Sequence, residues 1–250
     1  MKLLSPIFIF CLYFSSAWAS PGKKITFVGF DFPPFFYKEG SSFSGACVDV
    51  VKELCKAENF QCTFKIQPIR KALDMIKTGK IDLGGPFAFT AQRQLKFYYS
   101  PPLFKTSFGF FGLRKTVNQI KGYDDLKDLT VGVTFPSYTS ISLDKINETV
   151  EGRMKIINED LTMTPLTGVQ KYKYSLAYIN RDVGRYWIKS TGSSLIEVPN
   201  LSDETNYHII FSRLEFTDEE FEKINQRLTK MIDDKTIHKI AAKYNLTAIK

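Results

Sequence analysis

The chain has 250 residues, of which 44% are apolar and 24% charged, and its formal net charge is +8. This composition excludes a disordered chain and suits one or two α/β domains with real cores. Because the lysines are spread along the chain, we interpret the charge as a solvated surface with a mild preference for anionic ligands, and we predict no nucleic-acid partner.

Residues 1–19 are predicted to be a cleaved signal peptide. Lys2 precedes an apolar run over residues 3–14, and Ala17-Trp18-Ala19 fits the small-residue cleavage pattern. The run is too short to span a bilayer, and Cys11 lies inside it, so we do not interpret this cysteine as a lipidation site. We therefore expect an exported protein in the periplasm.

Export permits disulfides, and three cysteines follow the predicted signal peptide: Cys47, Cys55 and Cys62. Cys55 and Cys62 flank a predicted helix end, and a helix that turns into an adjacent strand brings such a pair close. We predict that these two are bonded and that Cys47 is a buried free thiol. Three free thiols are the alternative.

The first part of the mature chain is predicted to alternate strands and helices. The predicted strands are Ile25–Phe30, Thr63–Gln67 and Ile81–Leu83, and the predicted helices are Cys47–Ala57 and Arg70–Thr78. A β-α-β-α-β order implies a parallel sheet. An aromatic loop with two prolines, residues 31–37, follows the first strand. Beyond it we expect a short helix over Arg93–Tyr99 and an extended segment over Thr106–Leu113.

A second, similar unit begins at Thr130–Val133. Ser137 or Ser140 is a candidate cap for the helix that follows. The remaining predicted elements are strands at Met154–Asn158, Ser175–Ile179 and Tyr207–Ser212, with helices at Thr162–Tyr172, Arg181–Lys189, Asp218–Met231 and Lys235–Tyr244. The last strand would return the chain to the first unit. The predicted division is residues 20–113 for lobe 1, 114–207 for lobe 2, and 208–250 for lobe 1 again.

The stretch from Lys80 to Arg93 is the leading candidate for a binding site. Two glycines and a proline follow its short strand and bring bare backbone close to whatever lies above them, and Arg93 closes the segment. In an open α/β sheet, ligands bind beyond the carboxyl ends of strands. The pattern fits a site for a small carboxylate. The alternative is a surface arginine after an ordinary loop.

Several short motifs occur together in a characteristic order. They are Pro34-Phe35, Gly45-Ala-Cys-Val-Asp49, Ile76-Lys-Thr-Gly-Lys-Ile-Asp82, Thr90-Ala-Gln-Arg93, Tyr99-Ser-Pro-Pro102, Asp125-Leu-Lys-Asp-Leu129 and Lys239-Ile-Ala-Ala-Lys-Tyr244. In this order the chain resembles the family 3 extracellular solute-binding proteins over nearly its whole mature length. The run Glu53–Phe64 looks like the polar amino-acid binding proteins of ABC transporters, in which these two cysteines form a bridge.

The resemblance implies an α/β fold of two lobes, the type II periplasmic binding protein fold, with each lobe a mixed sheet flanked by helices. It implies a monomeric binding protein, not an enzyme, that closes on a small carboxylated solute and delivers it to a membrane permease, with no cofactor and no metal. By the same resemblance Arg93 binds the ligand carboxylate, Phe32 stacks on the ligand, and Ser137 and Tyr138 offer donors at a helix start.

Three departures from the family pattern concern the ligand. Pro86, Phe87 and Ala88 stand where the amino-acid binders carry hydroxyls and open backbone donors. Asn180 is the nearest match to the aspartate that holds a ligand ammonium, with Asp182 two residues on. The usual Gly-Thr pair after the second-lobe strand is Pro136-Ser137. With Phe32, Phe35 and Phe87 as apolar faces, we predict a carboxylate with an apolar or aromatic part and poor binding of strongly cationic amino acids.

Other interpretations stay open. Phe32 and Phe35 could be core aromatics, Tyr138 a surface residue, and Arg70 a solvated helix residue rather than part of the cleft rim. Phe87 and Phe89 alternate, so one should face the cleft and the other the core. A sensor that docks on a receptor, or a dehydratase-like enzyme, would share the fold. The only histidines, His208 and His238, lie away from the predicted cleft loops.

Overall fold

The structure is a computed structural model that describes residues 22–249, so the predicted signal peptide lies outside the described residues. In chain order the strands are β1 (Lys24–Gly29), β2 (Tyr37–Glu39), β3 (Ser42–Ser44), β4 (Gln61–Ile66), β5 (Leu83–Ala88), β6 (Phe97–Tyr99), β7 (Phe104–Gly112), β8 (Thr130–Thr134), β9 (Lys155–Glu159), β10 (Leu176–Asn180), β11 (Ile196–Ser212) and β12 (Thr247–Ala248). The α-helices are α1 (Ala46–Ala57), α2 (Ile69–Lys77), α3 (Ala91–Gln94), α4 (Arg114–Val117), α5 (Tyr138–Thr149), α6 (Thr164–Gln170), α7 (Arg181–Thr191), α8 (Asp218–Asp233) and α9 (Thr236–Lys243).

One mixed sheet runs through the molecule in the order β4-β1-β5-β11-β7-β10-β8-β9. We call β1 to β6, β12, α1 to α3, α8 and α9 lobe 1, and we call β8 to β10 and α4 to α7 lobe 2. At one end β1 lies parallel to β4 and β5, and at the other end β8 lies parallel to β9 and β10. Between them the long strands β7 and β11 run antiparallel and join the lobes. The architecture is therefore α/β, as predicted.

The joining strands change neighbours along their length. Phe104 and Lys105 of β7 pair with β12 of lobe 1, whereas residues 108–112 pair with β10 of lobe 2. Likewise, β11 pairs with β5 only from Tyr207 onward. The cleft between the lobes therefore lies beside the middle of both strands. The lobe boundaries after residues 113 and 207 stay predictions.

Strand β5 is buried along its whole length, and its sequence explains how its neighbours approach so closely. A Cβ atom at Gly84 would lie 2.5 Å from the carbonyl oxygen of Val28 and 2.7 Å from Ile76, so only glycine allows β1 and α2 to pack here. Pro86 lacks an N–H group, and it lies beside an irregularity in the β5–β11 register between His208 and Ile210. The pairing of β5 with β11 is therefore interrupted at Gly85 and Pro86 and resumes at Phe87 and Ala88.

Several predicted bounds are wrong. The helix expected over Arg93–Tyr99 is confined to α3, because Thr90 caps its start through the N–H of Arg93 and the aromatic run Phe97–Tyr99 pairs with β11 instead. The strand expected at Ile81–Leu83 is displaced to β5. The returning strand begins at Ile196, eleven residues before the predicted start, because its polar first half pairs with β7.

The cysteines lie as the spacing suggests. Cys55 near the end of α1 and Cys62 in β4 have Cα atoms 6.2 Å apart, within the range of disulfide-bonded pairs. Cys47 lies in the core with 1% of its surface exposed, and burial raises the pKa of its thiol far above the ordinary value. The bond itself stays a prediction, but the backbone places the two cysteines correctly for it.

Within residues 22–249, none of the helices has the length and apolar character needed to cross a membrane. The same part of the chain contains no group of three or more histidine, cysteine, aspartate or glutamate side chains that could hold a metal ion.

Candidate functional site

A small cavity of about 30 Å³ lies where lobe 1 faces lobe 2, and we call it the central cavity. It is lined by the loop after β1, the start of α2, the exit of β5, the start of α5, and the middle of β7 and β11. Its lining residues are Phe30, Phe32, Ile69, Pro86, Phe87, Ala88, Arg93, Phe108, Ser137, Tyr138, Thr139 and Tyr207. Six of the eight predicted ligand-binding residues are among them, and Phe35 and Asn180 are not.

Among the described residues that line the central cavity, Arg93 is the only charged one. Its Nη1 donates to the carbonyl oxygen of Ala88 at 3.3 Å, and its guanidinium carbon lies 5.4 Å from the centre of the Phe87 ring. No carboxylate within residues 22–249 forms an ion pair with it. Burial lowers the pKa of Arg93, because the charge has lost water without gaining an anion. An anionic ligand would supply the missing partner.

The start of helix α5 faces the same cavity from lobe 2. Ser137 caps the helix: its hydroxyl accepts from the N–H of Ser140 at 3.1 Å and donates to the carbonyl of Thr134 at 2.6 Å. The N–H groups of Tyr138 and Thr139 stay outside the hydrogen-bond pattern of the helix, as the first N–H groups of any α-helix do. Together with the positive end of the helix dipole, they form a second region that attracts anions.

The remaining lining of the central cavity is largely aromatic. Phe30 lies between two other rings, with its centroid 5.0 Å from Phe32 and 5.5 Å from Phe87. On the opposite side, the centroids of Phe108 and Tyr138 are 5.5 Å apart. The polar groups that point at the cavity are thus surrounded by apolar faces that keep water away and strengthen their electrostatic interactions.

Asn180 lies behind the cavity wall and is fully buried. Its Oδ1 accepts from the N–H of Val183, so it caps helix α7, while its Nδ2 donates to Thr106 Oγ1 at 2.7 Å and to the Tyr207 hydroxyl at 3.2 Å. Every hydrogen-bonding atom of this side chain has a protein partner. Asp182 lies nearby and accepts from Thr106 Oγ1 at 2.7 Å. Contact between Asn180 and a ligand therefore stays a prediction.

Phe35 belongs to the aromatic core beneath the cavity. It has no exposed surface, and its ring centroid lies 5.2 Å from Tyr207 and 5.7 Å from Phe104. The alternation rule is correct for Phe87, which faces the cavity, but wrong for Phe89. That ring keeps 44% of its surface exposed and packs against Tyr99, because β5 has ended at Ala88.

Sequence reasoning missed Phe30, Ile69, Phe108, Thr139 and Tyr207. Tyr207 is the most informative, because its hydroxyl is the polar group contributed by β11. Side chains alternate between the two faces of a strand, so Tyr207 lies on the same buried face of β11 as Ile209 and Phe211. This alternation can be recognised in the sequence. It predicts burial without telling which part of the cleft the side chain reaches.

A second cavity of about 340 Å³, the outer cavity, shares Phe30 and Ile69 with the central one. Its walls come from both lobes, with residues 66–69 on one side and residues 160–164 on the other. Asp31 and Asp160 stand at its border. A ligand held at Arg93 could extend past the Phe30 ring into this space.

The chain matches a family model over residues 26–247, and the model describes bacterial extracellular solute-binding proteins, family 3. A search of curated proteins gives no match.

Solved structures with the same fold include an ancestral arginine-binding protein bound to arginine, with 22% identity, a TM-score of 0.79 and coverage of 90% of this chain and 99% of that one. A histidine kinase sensor domain similar to periplasmic binding proteins has 16% identity, a TM-score of 0.81 and coverage of 92% and 99%. A substrate-binding protein of an ABC uptake transporter from Streptococcus pneumoniae, with bound histidine, has 16% identity, a TM-score of 0.78 and coverage of 88% and 92%. At these identities the likeness establishes the fold alone.

Proposed function

This chain belongs to the bacterial extracellular solute-binding proteins of family 3, and we propose that it captures a small carboxylated solute between its two lobes for uptake by an ABC transporter. The observation that carries the proposal is the partly buried Arg93 guanidinium, which has no carboxylate partner within residues 22–249 and faces the free N–H groups at the start of α5.

In this function Arg93 holds the carboxylate from lobe 1, with two charge-assisted hydrogen bonds from its planar guanidinium. The N–H groups of Tyr138 and Thr139 reach the same anion from lobe 2. A ligand that bonds to both lobes stabilises the closed form over the open one, which is the physical basis of hinge closure. Phe32 and Phe87 supply the apolar faces, and the outer cavity takes the rest of the ligand.

The same proposal places the mature protein in the periplasm as a monomer that delivers its ligand to a membrane permease. Support comes from the family match and from the signal-peptide pattern of residues 1–19. We propose binding without catalysis, because the groups on the central cavity are suited to holding an anion.

A ligand-sensing role is the second candidate. It is favoured by the structural similarity to a histidine kinase sensor domain, almost all of which can be superposed on this chain. The chemistry of the cleft would be the same, and only the partner that recognises the closed form would differ.

Binding of carboxylates to wild-type protein and to two variants tests the proposal. Arg93→Ala should weaken the binding of any carboxylate found by a thermal-shift screen by about 2–5 kcal/mol, since the ligand anion would lose its charged partner in a dry site. Arg213→Ala is the matched control, because Arg213 is exposed in the same lobe and stacks on Tyr98, away from both cavities. A loss below about 1 kcal/mol for Arg93→Ala in calorimetry would mean that the site has been misread.

A further inference from the structure

We infer that the central cavity offers its ligand hydrogen-bond donors but no anionic acceptor, so that it selects carboxylates without an ammonium group on the neighbouring carbon, and that Asn180 sets this selectivity through Tyr207. This inference rests on the proposed function, because it concerns the ligand class of the same site.

The hydrogen bonds of Asn180 fix the orientation of its amide. Because Oδ1 accepts from the N–H of Val183, Nδ2 must point the other way, toward Thr106 and Tyr207. Thr106 Oγ1 accepts a hydrogen bond from this amide and donates one to Asp182 Oδ2. The directions of these hydrogen bonds are therefore fixed by the helix cap at one end and by a carboxylate at the other.

This arrangement determines how Tyr207 can act. Its hydroxyl accepts from Asn180 at 3.2 Å, so its own proton must go elsewhere. Within residues 22–249 that proton has no hydrogen-bond acceptor, and the side chain lines the central cavity. Burial raises the pKa of Tyr207 well above the ordinary value, so the hydroxyl keeps its proton. Tyr207 thus presents a donor to the cavity.

The other polar groups at the cavity donate, are already occupied, or are neutral hydroxyls, those of Tyr138 and Thr139, which carry no negative charge. A guanidinium has donors only, and the first N–H groups of α5 are donors as well. The carbonyl of Ala88 already accepts from Arg93 and from the Tyr99 hydroxyl, each at 3.3 Å. The Ser137 hydroxyl donates to the carbonyl of Thr134. No carboxylate lies among the residues that line the cavity within residues 22–249.

The nearest acidic side chains are not among the residues that line the central cavity. Asp182 borders a separate cavity between α7 and the C-terminal residues, together with Tyr186 and Lys243. Asp31 and Asp160 border the outer cavity, beyond the Phe30 ring. An ammonium one carbon from the carboxylate stays beside Arg93 and therefore lies among donors and aromatic rings.

The charge balance leads to the same ligand class. A simple carboxylate neutralises Arg93, whereas an α-amino acid brings an extra positive charge that would be buried without an anionic partner. An unpaired buried charge is costly, so we expect a carboxylic acid to bind at least about tenfold more tightly than the α-amino acid with the same side chain.

The first experiment uses matched pairs of probes. Each standard amino acid is compared with the carboxylic acid that lacks its α-amino group, for example L-phenylalanine with 3-phenylpropanoate and L-leucine with 4-methylpentanoate. Calorimetry on wild-type protein should show the preference for the deaminated member in every pair that binds. Tighter binding of the amino acid would overturn this inference while leaving the proposed function intact. Binding of neither member in any pair would overturn both.

The second experiment changes the positioning residue. Asn180→Asp retains the acceptor for the N–H of Val183 but accepts the Tyr207 proton, so it should shift the preference at least about tenfold toward the amino acid of a pair. Asn158→Asp, which adds the same charge at an exposed position of β9, should leave the preference unchanged. Folded Asn180→Asp protein with the wild-type preference would overturn the role of Asn180.

Tyr207→Phe keeps the test decisive if Asn180→Asp does not fold. The variant removes only the donor hydroxyl, and it should weaken the deaminated acid severalfold while the affinity for the amino acid changes less. Equal affinities of the wild-type and Tyr207→Phe proteins for the deaminated acid would mean that the hydroxyl does not donate to the ligand, and the inference would be wrong.

Discussion

The contact between Arg70 and Phe135 provides a direct test of lobe closure. Arg70 is on α2 of lobe 1, and Phe135 follows β8 of lobe 2. The guanidinium carbon lies 5.9 Å from the centre of the ring, so the contact crosses the cleft beside the outer cavity. The contact exists only while the lobes are together, and Arg70→Ala should therefore favour the open form.

The size of the effect follows from the exposure of the two groups. Phe135 keeps 43% of its surface exposed and Arg70 is exposed, so the value for solvated cation–π pairs applies, which is about 0.5–1 kcal/mol. If the closed form is less stable relative to the open form by this amount, the apparent affinity for a ligand that binds the closed form falls by a factor of about two to five. The same loss should appear for every ligand of the cleft, because the contact acts on closure and not on recognition.

The assay is calorimetry with the tightest carboxylate of the screen, on wild-type protein, Arg70→Ala, Phe135→Ala and the double variant. Lys71→Ala is the control, since this neighbouring lysine is exposed on the same helix and touches neither cavity. The two single changes should not add, because each removes the same contact. Additive losses, or an Arg70→Ala affinity equal to that of Lys71→Ala, would refute the closing role of this contact.

Two further predictions concern the folded state. Peptide mapping without reductant should show a link between Cys55 and Cys62. Cys55→Ser should lower the free energy of unfolding by roughly 2–3 kcal/mol, since the bond closes a short loop in the unfolded chain. Three alkylatable thiols in the exported protein would contradict this prediction. Burial lowers the pKa of His208, so below the ordinary pKa of about 6.5 the unfolded chain binds more protons than the folded one. The stability of the wild-type protein should therefore fall as the pH decreases from 7 to 5, and that of His208→Gln should fall less. Thermal unfolding at each pH measures the difference, and equal pH slopes for the two proteins would contradict the prediction.

The overall architecture could be predicted because it depends on periodicity and on local stop signals. The order of strands and helices in lobe 1 emerged from apolar runs that end at Gly79 and at the prolines after β1. Errors arose where tertiary pairing decided the conformation. The polar first half of β11 has no apolar alternation, yet it is extended because residues 196–197 and 202–207 pair with β7.

The site was predicted in part for a similar reason. Phe32 follows β1, Phe87 lies near the end of β5 and Arg93 lies in α3, so each could be found from short motifs near a strand exit. Tyr207 comes from a strand more than a hundred residues later, and its role depends on a hydrogen bond from Asn180 that no pattern in the sequence encodes. Only the fold brings these two residues together and fixes which of them donates.

The structure also changes the reason for expecting poor binding of cationic amino acids. The sequence argument assumed that Asn180 faces the ligand in place of an acid, whereas the structure has its amide fully engaged behind Tyr207. What disfavours an ammonium beside the carboxylate is instead the set of donors around Arg93. A positive charge at the far end of a ligand is not disfavoured by these donors, because Asp31 and Asp160 border the outer cavity and could balance that charge. The group that the site discriminates against is therefore the α-ammonium, and the charge of the ligand's distal end is a separate matter decided in the outer cavity.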